Sequence, residues 1–258
     1  MTARHSTDST NLDTARIVVE VNGFDVPAYT ARPQGGRNLP ILLVLSEAFG
    51  LHPYIEDVTR RFAKQGYLAV APDLMARQGD PSSFDDIDKL VTDLLQRIPD
   101  EQALADVDAV LNWAKANGGD PARVGVNGFS WGARWTWLYA ARTKLSAAIA
   151  WYGVIDDTPS GLYPDRTLAP RHPIDIVGEL KTPVLGLYAA LDAVIPVSEV
   201  DDMKKKLAER PDGAPEVEFV VYPDAVHGFF ADYRADYHPT SAADAWQRAL
   251  AWLHEHGV

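Results

Sequence analysis

The chain contains no cysteine. That absence excludes a disulfide framework and any thiolate-based metal site. Long apolar runs are missing as well. No stretch approaches the roughly 18 consecutive apolar residues of an ordinary transmembrane helix. The opening Met1-Thr2-Ala3-Arg4-His5-Ser6-Thr7-Asp8 is polar and has no apolar core, so no signal peptide is expected and the cytoplasm is the expected compartment. Positive charge is also scarce, with 24 Lys and Arg against 36 Asp and Glu, a formal net charge of −12. A surface of that sign repels phosphate backbones, and no Lys/Arg cluster offsets it. Neither nucleic acid nor membrane is expected as a partner, and the acidity is read as a source of solubility.

What is present suits an enzyme-sized globular domain. At 258 residues, 47% of them hydrophobic and 23% charged, the chain can bury a substantial core without covalent staples. Two runs, Ala15–Val21 and Val26–Arg32, flank Asn22-Gly23-Phe24-Asp25 and predict an initial antiparallel hairpin. Pro40–Leu45 is too continuous in its apolarity to be half exposed and reads as a buried strand. Strand and helix then alternate. Helices are expected at 58–65, 101–117, 133–142, 197–207 and 242–253, and strands at 67–71, 123–127, 147–151, 183–189 and 217–222. Ser82–Asp100 is acidic and expected to be partly helical, and Pro159–Pro173 to be a long loop. Such alternation predicts an α/β fold with a mostly parallel sheet covered on both faces, preceded by the hairpin. There is no repeat, linker or break in composition. A single domain over 14–258 is therefore expected, after a flexible polar tail over 1–13.

Gly128-Phe129-Ser130-Trp131-Gly132 has the Gly-x-Ser-x-Gly pattern of a nucleophile elbow, and here a strand pattern precedes it and a helix pattern follows. A sharp strand-to-helix turn forces its central residue into strained φ/ψ, so the neighbours must lack side chains. A plainer alternative is a helix start capped by serine. A serine hydroxyl needs a base to accept its proton. His227 lies just past the strand at 217–222 and Asp192 just past the strand at 183–189, and the order Ser, Asp, His is the one this fold uses. Asp192 would orient the imidazole and stabilise its protonated form. The other histidines compete poorly: His5 lies in the tail, His172 in the long loop, His254 and His256 at the end of the closing helix, and His238 does not directly follow a strand.

With these residues in view, the sequence resembles the dienelactone hydrolase family. The resemblance is carried by Ser46-Glu47-Ala48-Phe49-Gly50, by Gly66-Tyr67 through Asp73-Leu74, by Ala76-Arg77, by the elbow, by the Asp192-x-x-x-Pro196 turn and by His227-Gly228-Phe229. These pieces occur in order over residues of about 40 to 230, most of the chain. The resemblance implies an α/β-hydrolase fold and a hydrolase that cleaves an ester or lactone of a small molecule, with no cofactor and no metal, as a monomer or small homo-oligomer. It also implies that Glu47 lies beside the nucleophile and modulates it, that the N–H groups of Ala48 and Trp131 form the oxyanion hole, and that Arg77 contacts a substrate carboxylate. Phe129, Tyr152 and Phe229, with Trp131 and Phe230 nearby, suggest a site for an apolar or aromatic acyl group.

Two departures from the family pattern bear on the chemistry. Serine stands at position 130, where the family nucleophile is usually cysteine. This leaves an esterase-like serine enzyme on one side, and on the other a ligand-binding or inactive member, such as a Cys-to-Ser variant of a cysteine hydrolase. A second substrate arginine found four residues past the histidine in some members is replaced by Ala231, with Arg234 three residues further on. Peptidase action is not expected, since no second substrate-docking domain is visible. Haloalkane dehalogenation would need a carboxylate at position 130.

Overall fold

The hairpin forms where the chain can turn back in two residues. In the computed structural model, which describes residues 6–156, 162, 163 and 165–258, Asn22 and Gly23 both adopt positive φ (52° and 79°). This matches the right-handed twist of the strands on either side. Strand β1 (Leu12–Val21) pairs antiparallel with β2 (Phe24–Pro33), from Val21↔Phe24 at the turn to Leu12↔Pro33 at the far end. β2 pairs antiparallel with β4 (Leu68–Pro72), and β4 pairs parallel with β3 (Leu39–Leu45). Ile41 to Leu45 and Leu68 to Ala71 are all but fully enclosed, as their unbroken apolarity requires. Three further strands, β6 (Ala147–Trp151), β7 (Val184–Ala189) and β8 (Val217–Tyr222), run parallel to one another. With β5 (Gly119–Phe129), the eight strands take the order β1-β2-β4-β3-β5-β6-β7-β8. The fold is an α/β-hydrolase fold: a mostly parallel sheet with an antiparallel N-terminal hairpin and helices around it.

Contacts gather the chain into two compact units. The first comprises Thr7–Gly125 with the described part of Leu162–Pro170. Its helices are α1 (Pro53–Lys64), the short α2 (Ile87–Asp93) and α3 (Asp100–Ala116). α1 begins five residues earlier than periodicity suggests. Proline at its first position is preset for a helix and needs no N–H acceptor, and Tyr54 and Ile55 extend the buried face of Val58 and Phe62. α3 buries Leu104, Val107, Leu111 and Ala114 together, the face expected from their spacing.

Residues 1–5 of the expected tail lie outside the described residues, but residues 6–13 depart from that expectation. The Thr7 N–H donates to Asp57 of α1, Arg60 donates to the Thr7 carbonyl at 2.7 Å, Lys64 pairs with Asp8 at 2.9 Å, and Leu12 already belongs to β1. The polar stretch is met by the charged face of α1, a partner that no local pattern announces.

The second unit holds the described residues of Val126–Gly161 and Arg171–Val258. Its helices are α4 (Trp131–Arg142), α5 (Val197–Leu207) and α6 (Pro239–Glu255). α4 is buried over nearly its whole circumference, from Trp131 to Ala141. α6 buries Ala245, Ala249 and Leu253 as expected, but Trp252 takes the inward place expected of Trp246 and Leu250, which are half-buried. Of the expected loop over 159–173, residues 159–161 and 164 lie outside the described residues. The rest is irregular up to a 3₁₀ turn at Pro173–Asp175.

Candidate active site

β5 ends at Phe129 and α4 begins at Trp131, so Ser130 alone makes the corner, with φ 48° and ψ −107°. A non-glycine residue in that region costs about 1–3 kcal/mol and persists only where its surroundings over-determine it. Here the Ser130 N–H donates to the Trp151 carbonyl at 2.9 Å, and the Ser130 carbonyl accepts from Ala133 N–H at 3.1 Å. Gly128 is required by space. A Cβ there would lie 2.3 Å from Thr136 Oγ1 and 2.5 Å from the Gly132 carbonyl oxygen. The corner also sets Ser130 at a helix N-terminus, where first-turn N–H groups lack intrahelical acceptors and favour negative charge.

The second unit brings the three residues picked from the sequence together. Ser130 Oγ lies 2.9 Å from His227 Nε2, and His227 Nδ1 lies 2.8 Å from Asp192 Oδ2. An ionised carboxylate can only accept, so the imidazole proton sits on Nδ1 and Nε2 is left to accept from the serine hydroxyl. Asp192 is itself held: Oδ1 accepts the N–H groups of Val194 (2.7 Å) and Ile195 (2.8 Å). Its side chain is 1% exposed, against 15% for His227, so the relay runs from a dry carboxylate to an imidazole that solvent can reach. The Tyr152 and His227 rings pack edge to face, with centroids 5.2 Å apart.

Phe129, Tyr152 and Phe229, expected to touch substrate, are enclosed in this conformation, at 0–1% exposure. Phe129 packs on Trp151 (5.4 Å) and stacks on Phe230 (5.6 Å), and Phe229 packs on Tyr152 (5.4 Å) and Tyr222 (5.1 Å). They form an aromatic bed under the turn, because large rings that follow core strands gain most by burying both faces. Arg234 lies closer to the chemistry than its sequence offset suggests. Its Nη1 is 3.2 Å from where a Cβ on Gly228 would stand, one residue from His227, and its Nη2 pairs with Asp236 at 3.2 Å.

The remaining expected site residues belong to the first unit. Glu47 follows β3, its side chain 4% exposed, with Oε1 3.4 Å from His52 Nε2. Sequence reasoning passed over His52. Ala48 sits in the turn closed by Gly50 N–H donating to the Glu47 carbonyl at 3.2 Å. Arg77 donates through Nε and Nη2 to Asp106 (3.3 and 2.7 Å) and through Nη2 to the Val21 carbonyl (2.9 Å), and lies over the Phe24 ring. That engagement is structural. It ties the turn after β4 to α3 and to the hairpin, and it competes with the substrate contact that the family pattern implies.

Two further groups in the second unit escaped the sequence reading. Arg134 of α4 is fully enclosed, its Nε donating to His172 Nδ1 at 3.2 Å and its Nη2 to the Arg171 carbonyl at 2.8 Å. Glu199, in the first turn of α5, is 4% exposed. His238, the nearest rival to His227, serves as a helix cap, with Nδ1 accepting from Ser241 N–H at 3.3 Å. Among the described residues no group of three His, Asp or Glu side chains could hold a metal ion, and no helix is long and apolar enough to cross a membrane.

A strained serine at a strand-to-helix corner, relayed through histidine to a buried aspartate, on this sheet, defines the α/β-hydrolase class. The family model of the dienelactone hydrolase family matches residues 26–257. A curated relative from Salmonella typhi, named "Putative carboxymethylenebutenolidase", is 48% identical over 91% of this chain and 84% of its own length. One of the same name from Yersinia pestis is 42% identical over 98% of this chain and 92% of its own. A crystal structure titled as a "Putative Dienelactone Hydrolase" from Klebsiella pneumoniae superposes with a TM-score of 0.88 at 46% identity, covering 94% of this chain and 98% of that one. The chain belongs to the dienelactone hydrolase family and is a hydrolase of the ester- or lactone-cleaving type.

Proposed function

We propose that this hydrolase opens small-molecule esters or lactones through an acyl-enzyme on Ser130. The observation that carries the reading is the unbroken relay from Ser130 Oγ through His227 to Asp192, at 2.9 and 2.8 Å. His227 Nε2 takes the hydroxyl proton as Oγ attacks the carbonyl carbon, then gives it to the departing alkoxide. Water, activated in turn by His227, releases the acid and restores the serine. The N–H group of Trp131, at the head of α4, would hold the oxyanion. The names of the curated relatives favour a lactone with a carboxylate. Arg234, packed beside Gly228, is the cation we assign to that group, in preference to Arg77.

The test is pre-steady-state hydrolysis of p-nitrophenyl acetate together with fluorophosphonate labelling. The protein is expected to give a burst of about one p-nitrophenol per chain, one for each Ser130, and to label at Ser130. Ser130→Ala is expected to lose at least about 10³-fold in kcat and all labelling. Full activity in Ser130→Ala refutes the assignment. Tight lactone binding without label or burst would instead identify a ligand-binding member.

A further inference from the structure

A second carboxyl group is buried beside the triad with no part in the relay. Glu199 lies three residues past Pro196, in the first turn of α5. Its Oε2 accepts N–H groups from Ile155 (3.3 Å) and Asp156 (3.0 Å), and Oε1 has no partner among the described residues. Burying a carboxyl is expensive unless hydrogen bonds offset the lost hydration, and here two backbone N–H groups contribute to that.

What these two bonds hold is the backbone that leaves β6. That segment starts at Tyr152, which sits at φ 40°, donates its N–H to the Leu187 carbonyl at 2.8 Å and packs its ring edge to face with His227. Gly153 follows, so close to α4 that a Cβ would lie 2.5 Å from Ala133 Cβ. Glu199 ties down the far end of this segment. Its own helix continues directly from the loop in which Asp192 is held by Val194 and Ile195. One side chain thus cross-links the two loops that support His227, one through Tyr152 and the other through Asp192.

We propose that Glu199 is a positioning residue of the triad, pinning the segment after β6 so that Tyr152 and Asp192 hold the His227 ring in register with Ser130. The proposal rests on the hydrolase reading of Ser130. Charge supports it. Two carboxyl groups face Glu199, Asp156 from the segment after β6 and Asp192 from the loop after β7, and the Tyr188 hydroxyl on β7, raised by burial and so uncharged, faces it as well. Burial first, then the charges of Asp156 and Asp192, push the Glu199 carboxyl up to about 7, against the pull of the two N–H bonds. A carboxyl that keeps its proton near neutrality still offers Oε2 to both N–H groups, and it sets no second full charge beside Asp192.

The experiment compares wild type, Glu199→Ala and Glu199→Gln for p-nitrophenyl acetate turnover, each normalised to the serines counted by fluorophosphonate titration. Glu199→Ala is expected to lose about 10-fold in kcat per titrated serine, with KM within about twofold. Glu199→Gln keeps an acceptor oxygen in place and is expected to restore most of kcat. A merely structural role would lower the count of titratable serines and leave turnover per serine unchanged, and that result overturns the proposal. So does a Glu199→Gln variant no better than Glu199→Ala. If Glu199→Ala does not fold, Glu199→Asp, one methylene short of its N–H partners, is expected to show the same fall, and wild-type turnover there also overturns the proposal. Wild-type protein that fails to label would refute the Ser130 reading itself, a result distinct from either.

Discussion

At the scale of single residues, the relay depends on which imidazole nitrogen carries the proton, and Asp192 decides that. Its two oxygens have separate tasks: Oδ1 takes two backbone N–H groups and Oδ2 takes His227 Nδ1. Asp192→Asn can keep the first task through its amide oxygen, so the loop is expected to retain its shape. The amide nitrogen then faces His227 Nδ1 as a donor and forces the proton onto Nε2, which can no longer accept from Ser130. The expected outcome is a fall of about 10⁴-fold in kcat with little change in thermal stability, measured by steady-state ester hydrolysis and melting curves. A fall below tenfold would mean that Asp192 does not set the tautomer. Ser130→Cys addresses the other open matter at this scale. A large gain on lactones would mark a site built around a thiolate, and no gain a site built around serine.

At the scale of elements, the Arg77–Asp106 pair joins the turn after β4 to α3. Asp106 is 2% exposed and Arg77 17%, so Arg77→Met would leave a buried charge without its partner. The expected loss is about 3–5 kcal/mol in chemical denaturation, and much of it is expected to return in Arg77→Met/Asp106→Leu. Turnover of a short neutral ester per folded molecule is expected to hold. A rise in KM confined to carboxylate-bearing substrates would return Arg77 to the substrate role that the family pattern implies. This pair also shows where sequence reading stops. The strands were legible because buried strands are continuous apolar runs. Ser130, Asp192 and His227 were legible because each follows the end of a strand. The nearness of Phe129, Tyr152 and Phe229 to the relay was legible but their enclosure was not, since nearness in sequence does not say which side of a turn a ring occupies. Glu199 was illegible for a related reason. An acid in the first turn of a helix is an ordinary complement to the helix dipole, and nothing local shows that this one points inward.

For the whole molecule, two sets of carboxyl groups respond to pH in opposite directions. Asp8, Asp80, Asp120, Asp165, Glu179 and Asp244 are held below their ordinary range, chiefly by side-chain hydrogen bonds to Lys64, Ser82, Arg123, Thr167, Arg171 and Arg248 respectively. Their contribution exists above the ordinary carboxylate range and is lost on acidification. All but the half-buried Asp120 are exposed, and solvent keeps the contributions of those five small. Glu199 works the other way, and burial raises Asp73 in the same sense. The Glu199 carboxyl stands near 4.5 in an unfolded chain and about 7 in the fold, so the folded state binds that proton more tightly. Its contribution is therefore complete below about pH 4.5, declines as pH rises and is gone above about 7. Glutamine has nearly the same shape and does not titrate, so the difference between wild type and Glu199→Gln isolates this one group from the surface set. Melting temperatures at constant ionic strength are expected to fall further for wild type than for Glu199→Gln between pH 5.5 and 8, with the variant the more stable of the two at pH 8. Parallel curves would mean that Glu199 is already ionised in the fold at pH 5.5. The buried carboxyl would then carry its full charge beside Asp192 throughout the working range.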